Sequence, residues 1–262
     1  MRTFAKYLIT LLGGFALGII AIGLLIASLF SGFNANFGEK QNPELTEAGL
    51  LYLKIEGDVA ERKSSNPLDD LMLAGEESDP SFGLDQLLNG LKKAEKDPNV
   101  KGILLDCGGY LGGMATAEEI RMALTQFQRS GKAVVAYSGM YSELGYYIAS
   151  SAKTVICNPK GLLEFDGISS KIVMYKGLFD KLGVDFQVFK AGKYKSAVEP
   201  FIQESMSAEN REQITQYITS LYQYQLSEIA KNRNIPFDSL WSIAMHGSAQ
   251  MPASALKLKL FD

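Results

Sequence analysis

Residues 102–157, GILLDCGGYLGGMATAEEIRMALTQFQRSGKAVVAYSGMYSELGYYIASSAKTVIC, decide the fold. Three apolar runs within them, 102–105 (GILL), 133–137 (AVVAY) and Thr154–Cys157 (TVIC), are too short for buried helices and read as buried strands. Between the first two, Ile120, Ala123, Leu124 and Phe127 share one face of a helix, and Gly131 supplies its C-terminal stop. Residues 143–150 (ELGYYIAS) form a second helix before the last strand. Strands and helices alternating at this spacing need crossover connections, which are right-handed, and therefore a mostly parallel sheet.

The alternation continues outward. Upstream, residues 49–55 (GLLYLKI) are strand-like, and a polar loop follows to about residue 82. Leu84, Leu87, Leu88, Leu91 and Ala94 then fall on one helical face. Asp97-Pro98 ends that helix, because the residue before proline is pushed out of the α region. Downstream, a longer helix begins at Ser207, whose hydroxyl can cap it, with Ile214, Ile218, Leu221 and Ile229 roughly on one face. No internal repeat or low-complexity tract interrupts the chain.

The N-terminus is of another kind. Residues 8–30 (LITLLGGFALGIIAIGLLIASLF) carry no charge, and at 1.5 Å per residue they span about 34 Å, enough for a bilayer core. The run is too long for a signal-peptide core, so it reads as an uncleaved transmembrane anchor. Arg2 and Lys6 precede it and favour a cytoplasmic N-terminus. Gly14 and Gly18 have the spacing of a helix-pairing motif, although glycine is common in membrane helices. Residues 1–31 are thus the cytoplasmic N-terminus and anchor, 32–48 a tether, and 49–262 one domain with a substantial core.

Composition excludes several functions. The net charge of −3 argues against a nucleic-acid partner, and without Arg2 and Lys6 the remaining 24 basic residues face 29 acidic ones, which does not suggest strong docking on anionic lipid. A single histidine, His246, rules out a multi-histidine metal site. The two cysteines, Cys107 and Cys157, lie in apolar runs and read as buried free thiols. There is no phosphate loop, no G-x-G-x-x-G and no serine with glycine at both −2 and +2.

Three segments remain for chemistry: CGGYLGGM after the second strand, SELGYY opening a helix, and GKYKSAVEP at residues 192–200. At these segments the chain resembles the membrane-anchored signal peptide peptidases (protease IV), specifically the N-terminal half of the long two-domain class. The likeness covers the anchor, the βα alternation, GKYKSAVEP and the closing ALKLKLFD. It implies an α/β fold of the Clp protease/crotonase-like βα spiral type, preceded by one transmembrane helix. It also implies a homo-oligomer at the membrane, a peptide substrate (cleaved signal peptides) and a Ser–Lys dyad, with no cofactor and no metal. In the long class the lysine comes from the N-terminal domain and the serine from the C-terminal one, so a further domain is expected beyond Asp262.

The resemblance places the lysine general base at Lys195. A lysine accepts a proton only when neutral, so burial or a nearby cation, such as Lys193, must lower its ordinary pKa of about 10.4. Active domains of the family carry Ser-Gly-Gly-Tyr-Tyr at a helix start. Here those positions read Glu143-Leu144-Gly145-Tyr146-Tyr147, so Glu143 replaces the nucleophile, and the adjacent Ser142 is turned about 100° away. Gly112 and Gly113 lie where active domains hold the oxyanion; they serve that role or form a tight strand-to-helix turn. The alternative is a catalytically inactive, membrane-anchored scaffold or peptide-binding domain of the same fold. A crotonase-like thioester enzyme fits neither the anchor nor the lysine segment.

The basic residues ahead of the apolar run favour a domain outside the cytoplasm, and the resemblance implies a single-pass protein of the inner (cytoplasmic) membrane with its domain on the periplasmic or extracytoplasmic side. Alkaline phosphatase fused after Asp262 is expected to be active; an inactive fusion that is well expressed and membrane-bound would overturn the orientation.

Overall fold

Four parallel strands form a sheet in the order β1 (Gly49–Lys54), β2 (Val100–Asp106), β3 (Ala133–Ser138) and β4 (Thr154–Cys157). The computed structural model describes residues 19, 20, 22, 47–62 and 82–262. The chain divides into two units, 1–46 and 47–262. In the first, Ile19, Ile20 and Ile22 are helical, and the rest of the expected anchor at 8–30 lies outside the described residues, as does the tether as far as residue 46. Among the described residues no helix is long and apolar enough to cross a membrane.

Register explains why the second unit has one core. Leu53 pairs with Leu105, Leu105 with Ala136 and Ala136 with Val155, so a single row of buried apolar side chains crosses all four strands. Helices α1 (Leu84–Lys96), α2 (Met114–Arg129) and α3 (Glu143–Ala149) contribute Leu87, Leu91, Ile120, Leu124, Phe127 and Ile148 to the same core. The opposite face of the sheet leaves Leu50, Tyr52 and Tyr137 exposed. Local signals act where expected: Asp97 is the extended residue after α1, and Gly131, with φ of 88°, closes α2.

Beyond β4 the chain forms α4 (Lys176–Lys181), α5 (Glu199–Ile202), α6 (Ala208–Arg233), α7 (Phe237–Met245) and α8 (Pro252–Lys257). Ser207 caps α6, as expected: its hydroxyl accepts from the Asn210 N–H at 3.1 Å. The expected apolar face is corrected in part: Ile229 is buried as expected, whereas Ile214, Ile218 and Leu221 are only half-buried and Tyr222, Gln225 and Leu226 take their place in the packing. The first half of α6 runs beside an exposed segment and has no core to meet.

A charged cluster joins α6 to the body. Arg121 donates two hydrogen bonds of 2.8 Å to Glu118 and pairs with Glu228 on α6 at 2.9 Å. Glu118 also accepts from the Tyr147 and Tyr224 hydroxyls. The chain end is held similarly: Arg233 pairs with Asp262, whose carboxylate accepts the Val155 N–H at 2.8 Å.

Removing Glu118 leaves Arg121 paired with Glu228 and takes the acceptor from the Tyr147 and Tyr224 hydroxyls. Glu118→Ala is expected to cost about 1–3 kcal/mol in urea denaturation, against less than about 0.5 kcal/mol for the exposed Glu119→Ala.

Candidate active site

The start of α3 is pressed against the loop that follows β2, and two glycines make this possible. A Cβ on Gly108 would lie 1.8 Å from the Met140 carbonyl oxygen, and one on Gly145 would lie 2.5 Å from that of Cys107. Ser142 closes the contact. Its N–H donates to the Gly108 carbonyl at 2.8 Å, and its hydroxyl donates to the Tyr110 carbonyl at 2.6 Å. The same hydroxyl accepts from the Gly145 N–H at 3.0 Å, the ordinary bond of a helix N-cap. Ser142 is buried, and its hydroxyl is engaged as both donor and acceptor.

Glu143 is the first residue of α3, half-buried between the 164–167 segment and α6. Its Oε2 accepts from the backbone N–H groups of Asp166 at 3.0 Å and Gly167 at 3.3 Å. Gln225 donates to Oε1 across 3.5 Å. The Tyr222 hydroxyl faces the same carboxylate without making a hydrogen bond of ordinary geometry, and the Gln225 Oε1 is likewise buried without a partner. Burial outweighs the two backbone bonds and pushes the Glu143 carboxyl up to about 7. The phenol of Tyr222 is pushed up in turn, by burial and then by the Glu143 charge.

The glycines after β2 have a structural use. Gly113 caps α2, and its carbonyl accepts from the Tyr110 hydroxyl at 2.8 Å. A Cβ on Gly112 would sit 2.5 Å from that same hydroxyl oxygen. The loop is folded over its own buried tyrosine. Cys107 and Cys157 are both free and buried, and burial pushes both thiols up. His246 ends α7 with Nδ1 2.7 Å from the Ser242 carbonyl oxygen, far in sequence from every serine considered above. Among the described residues no group of histidine, cysteine and carboxylate side chains is placed to hold a metal.

Lys195 lies in the turn between α4 and α5, with its N–H 3.4 Å from the Gly192 carbonyl oxygen. Lys193 and Lys195 are both exposed. Among the described residues no hydrogen bond or ion pair joins Lys195 to Ser142 or Glu143, so the lysine and the α3 start are not brought together as a dyad. The neighbouring Tyr194 hydroxyl reaches Glu212 on α6 at 3.2 Å. The sequence reading did not single out Glu199, four residues on, which is fully buried. Burial alone would raise its carboxyl, yet hydrogen bonds from Ser207 and Asn210 hold it below the ordinary carboxylate range. The available signal was its place inside GKYKSAVEP, eight residues ahead of the Ser207 cap.

Residues 126–262, just over half of the chain, match the sequence profile of Peptidase family S49. The Protease 4 of Haemophilus influenzae is 30% identical over 241 residues, which are 90% of this chain and 38% of that protein. The Protease 4 of Salmonella typhi is 36% identical over 204 residues, 76% of this chain and 33% of its own length. A putative signal peptide peptidase SppA of Enterococcus faecium is 24% identical over 220 residues, 84% of this chain and 61% of the relative. A parallel α/β domain with this lysine turn and this helix start therefore belongs to the S49 peptidases. The chain spans 38% and 33% of the length of the two Protease 4 relatives.

The Glu143 carboxyl sets a pH dependence. Its proton is held up to about pH 7 in the folded chain and lost near 4.3 when unfolded, so native stability falls as pH rises through that window. Glu143→Gln removes this loss. It is expected to leave stability nearly unchanged at pH 4.5 and to raise it by about 1–3 kcal/mol at pH 8, read by urea denaturation at both pH values.

Proposed function

We propose that this chain is the N-terminal half of a membrane-anchored serine endopeptidase that degrades cleaved signal peptides, and that it contributes Lys195 as the base of a Ser–Lys dyad. The observation that carries the reading is the division at the site. The nucleophile position is a carboxylate, and the adjacent serine is consumed as a helix cap, while the lysine turn is presented to solvent. The serine then comes from a second domain outside these 262 residues. That reading agrees with the length of the Protease 4 relatives, of which this chain spans 38% and 33%. The signal-peptide substrate follows from the resemblance and from the printed description of the Enterococcus faecium relative.

The parallel sheet and its helix-covered face support a Clp/crotonase-like spiral, a fold that assembles into oligomers. In the assembled enzyme the partner domain supplies the dry wall beside Lys195 that its own exposed turn does not. The neutral amine takes the proton of the serine hydroxyl as the oxygen attacks the scissile carbonyl, then returns it to the leaving amine. The anchor at 8–30 holds this site near peptides left in the bilayer. Glu143 at the nucleophile position also favours a second reading, an inactive peptide-binding scaffold.

The two readings separate in the full-length protein. Lys195→Ala and Lys195→Arg are both expected to lower turnover of a quenched-fluorescent, leucine-rich peptide by at least about 100-fold, since guanidinium stays protonated at any working pH. A fluorophosphonate is expected to label the full-length protein and not the 262-residue chain. Near wild-type turnover of Lys195→Arg would remove the base assignment, and absence of turnover in the wild type and all variants alike favours the scaffold.

A further inference from the structure

Between Phe165 and Tyr222 only two residues are buried, Glu199 and Asn210, and they are hydrogen-bonded to each other. The segment 166–221 therefore projects as an arm with no buried apolar side chain. Its rings, among them Phe179, Phe186 and Phe201, touch one another but remain at least partly exposed. An arm of this kind has little to hold one conformation except polar bonds.

Glu199 concentrates those bonds. Its Oε1 accepts from the Ser207 hydroxyl at 2.6 Å, and its Oε2 accepts from the Ser207 N–H at 3.2 Å and the Asn210 side-chain amide at 2.8 Å. Ser207 and Asn210 form the first turn of α6, whose far half is packed in the core through Tyr222, Leu226 and Ile229. On the other side, the Glu199 N–H donates to the Ser196 carbonyl at 3.0 Å, which joins it to the turn carrying Lys195. A continuous path thus runs from the core along α6 to Ser207 and Asn210, through one carboxylate, to the lysine turn.

We infer that Glu199 is a positioning residue for Lys195, its carboxylate fixing the lysine turn to the first turn of α6. The inference rests on Lys195 being the base. A base acts only within about 2.6–3.2 Å of the proton it takes, and a misplacement of about 1 Å can cost on the order of 100-fold in rate. Lys195 reaches its partner from an exposed turn on a long, flexible stem, so the turn itself must be fixed. The exposed Tyr194–Glu212 bond is too open to solvent to do this alone.

The test uses the full-length protein and a quenched-fluorescent, leucine-rich peptide. Glu199→Ala is expected to lower kcat about 10–100-fold with KM within about twofold and Tm within a few degrees of wild type. Glu199→Gln, which keeps an acceptor oxygen, should restore part of that loss, and Tyr194→Phe should change kcat little. Asn210→Ala removes one arm of the lock while leaving the carboxylate, and is expected to lower kcat by a smaller factor in the same sense. If Lys195→Ala keeps turnover, the base reading fails and this inference fails with it. If Lys195→Ala is inactive while Glu199→Ala and Asn210→Ala keep wild-type kcat, the positioning role alone is overturned. A large fall in Tm that tracks the fall in kcat in both variants also overturns it, by making Glu199 a residue of the fold only.

Discussion

The 2.6 Å hydrogen bond from the Ser142 hydroxyl to the Tyr110 carbonyl depends on a backbone approach that tolerates no Cβ at Gly108 or Gly145. Once that approach is made, α3 starts at a fixed point above the sheet, and Tyr146 and Tyr147 are turned into the core. Tyr146 then reaches the Leu260 carbonyl and Tyr147 reaches Glu118, so the chain end and α2 take their places from the same helix. A serine committed in this way is a poor nucleophile, because attack would require it to leave both its acceptor and its donor. The geometry that builds the domain also removes its nearest serine from the chemistry.

The second half of the chain is organised by different forces. The body is held by a row of apolar contacts across four strands and by an ion cluster at α2 and α6 centred on the buried Arg121. The arm at 166–221 lacks both. Its attachment relies on directional bonds at a helix cap, which fix orientation more than they contribute to stability. On such an arm the lysine proposed above as the base would be separated from the requirement for a stable core.

The legible parts of the fold were those governed by local rules. Residues 154–157 form a strand with the expected bounds, and Asp97-Pro98, Gly131 and Ser207 end or begin their helices as residue chemistry requires. The misread part was the packed face of α6, because periodicity reports which residues share a side and not whether a neighbour is there to cover it. Ile214 and Ile218 have the right spacing and no core beside them. At the site, the helix start at Ser142 and the turn carrying Lys195 lie in segments picked out from the sequence, while the roles of Glu143 and Lys195 rest on the family resemblance. The pairing of Glu199 with Ser207 and Asn210 was not legible, since a buried carboxylate in a polar stretch has the same composition as an exposed one.

The lack of a buried apolar side chain in the arm has a thermodynamic consequence. Heat-capacity change on opening comes chiefly from apolar surface newly wetted, about 0.45 cal/K/mol per Å², while polar exposure acts in the opposite sense. Opening of residues 166–221 wets little new hydrocarbon, so its free energy varies with temperature along a shallow, nearly linear course. The body, with its aliphatic row across the sheet, follows the usual curved dome. The two parts of one chain therefore respond differently to cooling and to heating, and their order of opening depends on temperature rather than being fixed by sequence position.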